Sequence, residues 1–276
     1  MTHLPDSLLD ACRCDPAAPF GQDPARDLGL HKHAAQLALA ELRPWLNRQQ
    51  RMLWATRRDA LLLILQGPDC SGKDGVIRQL ISAFDPQGVR LHGFQQPDAC
   101  ERRHDFLWRY QRRLPDLGLL GVFNRSYYEG LVSDPLDGLC SAAELPARRQ
   151  AIQAFEAQLL AQHTRPLKCF LQISRGEQEL RLRERLENPE KRWKLHASDL
   201  QAYREYDLRQ QRWAEQLSAS HSEDAPWYVI PADHRWLRDW LVASLLAREL
   251  ERLQLDWPDS PPPFSLDELD QAKERP

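Results

Sequence analysis

Apolar positions along this chain alternate between two rhythms. Five short, nearly continuous apolar runs occur: "ALLLILQ" at 60–66, "VRLHGF" at 89–94, "LLGVF" at 119–123, "LKCFLQI" at 167–173 and "WYVIP" at 227–231. Runs of this length and continuity predict strands buried on both faces. Around and between them, apolar residues recur at helical spacing over 31–57, 72–84, 99–113, 145–162, 177–187, 198–218 and 234–254. In the first of these Leu37, Leu42, Trp45, Leu46 and Leu53 form the apolar positions, and Pro44 predicts a kink. In the second, Val76, Ile77, Leu80 and Ile81 fall on one side.

Strands that alternate with helices in this way predict an α/β fold: a three-layer domain of about five parallel strands with helices on both faces. Residues 1–30, with their Pro, Asp and Cys content, are expected to form a poorly ordered N-terminal extension. Residues 31–254 read as a single domain without repeats or linkers, and 255–276 as a C-terminal tail. The Arg- and Lys-rich stretch at about 175–207, between the fourth and fifth strands, is expected to be a helical lid able to close over a ligand.

Composition narrows the partners. The formal net charge of −3 argues against a general nucleic-acid binder. The average conceals basic segments, with twelve Lys or Arg against eight Asp or Glu over 165–212, and five arginines in "RRHDFLWRYQRR" at 102–113. A solvated helix face explains such runs as readily as a binding track does. The six cysteines have no metal-site spacing and read as free thiols of a reducing compartment. The longest apolar run falls far short of the ~20 residues that cross a bilayer, and the first residues lack the pattern of an export signal. A cytoplasmic protein with no membrane partner is the expectation. Trp108 and Trp193 are expected to pack rather than to stack on bases, and His104 and His196 read as structural or surface groups.

The segment that carries chemistry is "GPDCSGKDG" at 67–75, placed directly after the first strand. A strand running into a glycine turn and then a helix sets backbone amides and a positive helix end around an anion, and Lys73 adds a mobile charge. Asp74 occupies the place where such loops carry a Ser or Thr hydroxyl for magnesium. Asp69 is the second oddity, because a carboxylate facing a polyanion repels it unless a metal bridges the two. An Asx turn that shapes the loop is the plainer account of Asp69. Asn124, Arg125 and Glu129 follow the third strand and, as ligands gather beyond the carboxyl ends of parallel strands, are expected in the same crevice. An Arg at that strand end suits stabilisation of a transferring phosphoryl group, and a structural ion pair is an equal alternative.

Together these motifs resemble the polyphosphate kinase 2 family, whose loop reads Gly-x-Asp-x-x-Gly-Lys-x-Gly and is matched by Gly67, Asp69, Gly72, Lys73 and Gly75. "DFLWR" at 105–109, "FNRSYYE" at 123–129, "ENPEKRWK" at 187–194 and "APWYVIPADHRW" at 225–236 resemble its later signatures, in order, from about residue 30 to about 250. The resemblance implies a thymidylate-kinase-like P-loop fold, phosphoryl transfer between inorganic polyphosphate and a purine nucleotide, magnesium or manganese as cofactor, and a dimer or tetramer.

It also implies roles. Gly67, Gly72, Lys73, Asp74 and Gly75 would hold phosphate, with Arg181, Arg185 and Lys194 of the lid on the polyphosphate. Asp69, Lys73 and Arg125 would be catalytic. Asp105, Arg109, Asn124 and Glu129 would meet the nucleotide, and Asp69, Asn124 and Glu129 the metal. Asn124 followed by Tyr-Glu resembles the subgroup that accepts AMP as well as ADP. Two departures stand out: Gly130 replaces a usual acidic residue and is followed by "LVSDPLDG" without Arg, and Pro68 removes one loop amide. An ATP-dependent nucleoside or nucleotide kinase of the same fold and a non-catalytic polyphosphate or nucleotide sensor are the alternatives. Asp74 counts against the first and the retained site residues against the second.

Overall fold

A computed structural model describes residues 3–273. Five strands, β1 (Ala60–Gln66), β2 (Val89–Gly93), β3 (Leu120–Asn124), β4 (Thr164–Gln172) and β5 (Trp227–Pro231), form one parallel sheet in the order β2-β3-β1-β4-β5. The first strand is central and buried along its whole length, as its apolar run requires. Its residues divide by the pleat: Leu61, Leu63 and Leu65 enter one core, Leu62 and Ile64 the other.

The helices are α1 (Asp6–Asp10), α2 (Lys32–Thr56), α3 (Lys73–Ile81), α4 (Trp108–Gln111), α5 (Glu129–Leu136), α6 (Leu145–Ala161), α7 (Arg175–Glu187), α8 (Ala197–Arg204), α9 (Tyr206–Ser220), α10 (Arg235–Arg252) and α11 (Leu266–Lys273). Helices α2, α3 and α10 cover one face of the sheet, and α5, α6 and α9 supply the core of the other. No helix among the described residues is long and apolar enough to cross a membrane.

Four expectations are revised by the structure. The helix anticipated over 99–113 is reduced to a single turn at Glu101–Arg103 and to α4. The carboxylates of Asp98 and Asp105 accept from amides two or three residues ahead, which offers the backbone turns in place of a continuous helix. The pattern over 198–218 is two helices that part at Glu205. Residues 3–15 differ from the poorly ordered extension expected there: Leu4, Leu9 and Cys12 lie in the core, and the chain bridges β5 through Cys14 N–H to Trp227 O and Val229 N–H to Cys12 O. Trp193 differs from the packing role expected of it, since it is 74% exposed.

Candidate active site

The glycine loop lies between the end of β1 and α3, at the carboxyl edge of the sheet. Gly67 and Gly72 have φ of +141° and +98°, which favour glycine. At Gly72 a Cβ would also stand 1.8 Å from Nη1 of Arg238, so a guanidinium takes the place a side chain would fill. Lys73 is buried and folds back on the loop, its Nζ donating to Gly67 O at 2.7 Å and to Pro68 O at 3.1 Å. Burial and the nearby Arg125 charge lower its pKa below the usual lysine value, against the pull of Asp69, Glu129 and Asp74.

Asp69 and Arg125 meet across the crevice, with Nη2 donating to Oδ1 at 2.7 Å. Burial alone would raise the pKa of Asp69, but the charges of Arg125, Lys73, Arg209 and Arg185 together outweigh it and hold the carboxylate below its ordinary range. Arg125 is held in a left-handed backbone conformation, φ 67°, that a non-glycine residue adopts at a cost. The amide of Arg125 donates to Leu65 O, which fixes this strand end beside β1. Glu129 accepts from the Ser133 hydroxyl. With the amide of Gln66 oriented by its hydrogen bonds, that side chain also donates to Glu129 at 2.8 Å.

Asp74 joins three elements. It accepts from Asn124 Nδ2 at 2.9 Å and lies 3.3 Å from Lys194 Nζ, so α3, the end of β3 and the turn at Pro189–Lys194 share one carboxylate. Burial opposes, but the bond and charge of Lys194 and the Asn124 amide hold its pKa down. Arg185 lies 3.7 Å from Asp199 and bears electrostatically on Asp69.

Other expected residues are placed differently. Arg181 is buried, pairs with Glu177, and spends its remaining N–H groups on the carbonyls of Cys70, Ser71, Ala232 and Asp233. It is therefore a structural clamp here, unlike the polyphosphate contact expected of it. Arg109 is tied to Glu101 at 3.2 Å and lies over the rings of Phe94 and Tyr110, and exposed Asp105 caps its own turn. These two stand in a local structural cluster rather than beside Lys73. Asp69, Asn124 and Glu129 are each engaged by protein partners, and no group of three or more His, Cys, Asp or Glu suited to a metal exists among the described residues. That donor set still fits magnesium, which is commonly held by one or two carboxylates together with waters and substrate phosphates.

Sequence reasoning missed the second layer of the site. Arg238, Gln178 and Asp199 are polar residues inside helical patterns, and nothing in the pattern separates them from a solvated face. It also missed a buried ion pair behind the Tyr127–Tyr128 step. Lys168, with 0% exposure, donates to Glu156 at 2.8 Å, and Glu156 accepts from Tyr127 and Tyr128 at 2.7 and 2.8 Å. At Gly130 a Cβ would lie 2.8 Å from the Phe106 ring, and Arg148 donates to the Gly130 carbonyl. The departure from the usual acidic residue is thus matched by packing from the "DFLWR" segment.

A parallel sheet that feeds a glycine loop, a buried lysine and a helix N-terminus, faced by an arginine from the next strand end, defines a phosphate-binding-loop protein of the phosphotransferase kind. The model of the family Polyphosphate kinase 2 (PPK2) matches residues 29–256. The chain belongs to the polyphosphate kinase 2 family. It is 39% identical over 254 residues to the AMP/ADP-polyphosphate phosphotransferase of Meiothermus ruber, covering 92% of this chain and 93% of that protein. It is also 39% identical over 225 residues to the ADP-polyphosphate phosphotransferase of Rhodopseudomonas palustris, covering 77% and 78%. The crystal structure of polyphosphate kinase 2 from Arthrobacter aurescens superimposes with a TM-score of 0.90 at 36% identity, over 96% of both chains.

Proposed function

We propose that this chain transfers a phosphoryl group between inorganic polyphosphate and a nucleotide, with AMP and ADP as acceptors. The observation that carries the reading is the crevice in which Lys73 and Arg125 stand beside an Asp69 held ionised, with a carboxylate rather than a hydroxyl at position 74.

The chemistry matches those groups. An oxygen of the acceptor's terminal phosphate forms a bond to the end phosphorus of polyphosphate, and the P–O bond to the rest of the polymer breaks, leaving a chain shorter by one phosphate. The attacking oxygen is already ionised at neutral pH, so no proton need be removed. A carboxylate held below its ordinary pKa is a poor base, which suits Asp69 to orientation and to holding a divalent cation. Magnesium, when bound by Asp69 and the substrate phosphates, would supply charge neutralisation between them. Lys73 and the loop amides would fix the donor phosphates, and Arg125 the transferring group. Asn124 and Glu129 would orient the acceptor, and Arg185 and Lys194 would close on the polymer. Assembly as a dimer or tetramer belongs to the same proposal, and light scattering of the purified chain tests it.

The decisive assay offers AMP and ADP to the purified chain with polyphosphate, then with ATP as donor, each with and without magnesium. Formation of ADP and ATP from polyphosphate is expected. No product from either acceptor with polyphosphate refutes the reading, and efficient transfer from ATP alone makes the chain an ATP-dependent kinase.

A further inference from the structure

Every carbonyl from Gly67 to Ser71 accepts a hydrogen bond from a side chain. Lys73 takes Gly67 and Pro68, Gln178 of α7 takes Asp69 at 3.0 Å, and Arg181 takes Cys70 at 2.9 Å. Ser71 is taken by Arg181 and by Arg238 of α10, each at 3.2 Å. A trans peptide points its carbonyl and the following amide in opposite directions. Carbonyls drawn toward α7 and α10 therefore turn the amides of Cys70 and Gly72 the other way. Those amides, with the amides of Lys73 and Asp74, have no backbone acceptor among the described residues.

We propose that Arg238 and Gln178, together with Arg181, are positioning residues that hold the loop carbonyls away from the crevice and so keep its amides aimed at a bound polyphosphate end. The inference rests on the reading of the loop as the polyphosphate site. Arg238 suits this role because it is buried directly beneath Gly72 and Gly75, where a Cβ at Gly75 would lie 2.9 Å from Nη2, and because Asp239 fixes its other N–H groups at 2.7 and 2.8 Å. Its charge stands behind an anion site without touching the anion. Gln178 is bound on one side only: its Nε2 reaches Asp69 O, while its buried Oε1 has no partner among the described residues. The clamp also ties α7 to the loop.

Calorimetric titration of the intact chain with tripolyphosphate, and separately with AMP, tests the assignment in Arg238→Met and Gln178→Met. The second variant removes an unsatisfied acceptor together with the donor, so it keeps the test open if the first does not fold. Arg238→Met is expected to weaken tripolyphosphate binding at least about tenfold, the size of one lost charge-assisted hydrogen bond, and Gln178→Met about threefold, the size of a neutral one, and both to leave AMP binding unchanged. Wild-type tripolyphosphate affinity in the folded variants overturns the inference, as does an equal loss for AMP, the mark of a merely structural role. A wild-type chain that binds AMP but not tripolyphosphate removes the polyphosphate reading and the inference with it.

Discussion

Replacing Lys73 with Met separates what this residue does for folding from what it does for transfer. Its two protein acceptors are neutral carbonyls, at 2.7 and 3.1 Å, and Pro68 O keeps the Ser71 amide when the lysine is gone. The loss of two hydrogen bonds from a charged donor, at about 1.5–3 kcal/mol each, costs about 3–6 kcal/mol. Removing a buried ammonium returns a desolvation penalty of about the same size or larger, several kcal/mol. The balance runs from near zero to stabilising. The sign of the pH dependence agrees: burial first, then Arg125, hold the folded pKa below the ordinary 10.5. Between those two values the unfolded chain binds more protons, so this group's contribution improves as pH rises through that window and is a deficit at neutral pH. Lys73→Met is therefore expected to match or exceed wild type in urea denaturation at neutral pH, with any advantage shrinking toward alkaline pH. Transfer should fall by a factor of about 10²–10³ or more, the scale for losing one preorganised charge-stabilising donor. Denaturation curves and polyphosphate-dependent ATP formation, measured on one preparation, check both halves. A stability loss above about 2 kcal/mol, or a rate within tenfold of wild type, refutes the reasoning.

Four further outcomes are expected. Lys168→Met leaves Glu156 buried without its cation and should cost about 3–5 kcal/mol, part of which Glu156→Gln in the same chain should restore, as chemical denaturation would show. Asp69→Asn should lose magnesium-dependent transfer. Because the Asp69 pKa is depressed below 3.8, its stabilisation is present above that value and lost as pH falls through the folded one, so thermal melts of variant and wild type should converge in acid. Lys194→Ala breaks a partly exposed pair with Asp74 worth under about 1 kcal/mol, so the melting temperature should hold while KM for polyphosphate rises. Gly130→Asp, restoring the usual acidic residue, should lose about 1–3 kcal/mol through overpacking against Phe106, measurable by differential scanning calorimetry.

Much of this molecule is legible in the order of its residues, because parallel strands buried on both faces announce themselves as apolar runs. All five strands fall within a few residues of the runs that predict them, and the glycine loop follows β1 as its spacing requires. The loop is written in types that have few other uses in that setting, glycines with positive φ and one lysine. Side-chain direction is where pattern fails. Arg181 and Arg185 lie four residues apart on α7, yet the first is consumed by backbone carbonyls while the second bears on Asp69. The charge pattern is the same for both, and only the packing of α7 against the loop and β5 separates them. The shortened helix near 101–111 has a comparable cause, since Asp98 and Asp105 compete for amides that apolar periodicity assigns to a helix.

The N-terminal segment that bridges β5 makes the two margins of the sheet unequal. Backbone groups of Cys12 and Cys14 occupy part of the outer side of β5, so this chain caps that margin itself. The opposite margin, β2, is five residues long and carries exposed Arg90 and Leu91. An uncapped strand edge is a template for another strand, and shortness and charge are the means by which proteins blunt it. Loosening residues 3–15 would therefore create a second template on a molecule that otherwise offers one short and cationic edge, and colloidal behaviour rather than catalysis would register the change first.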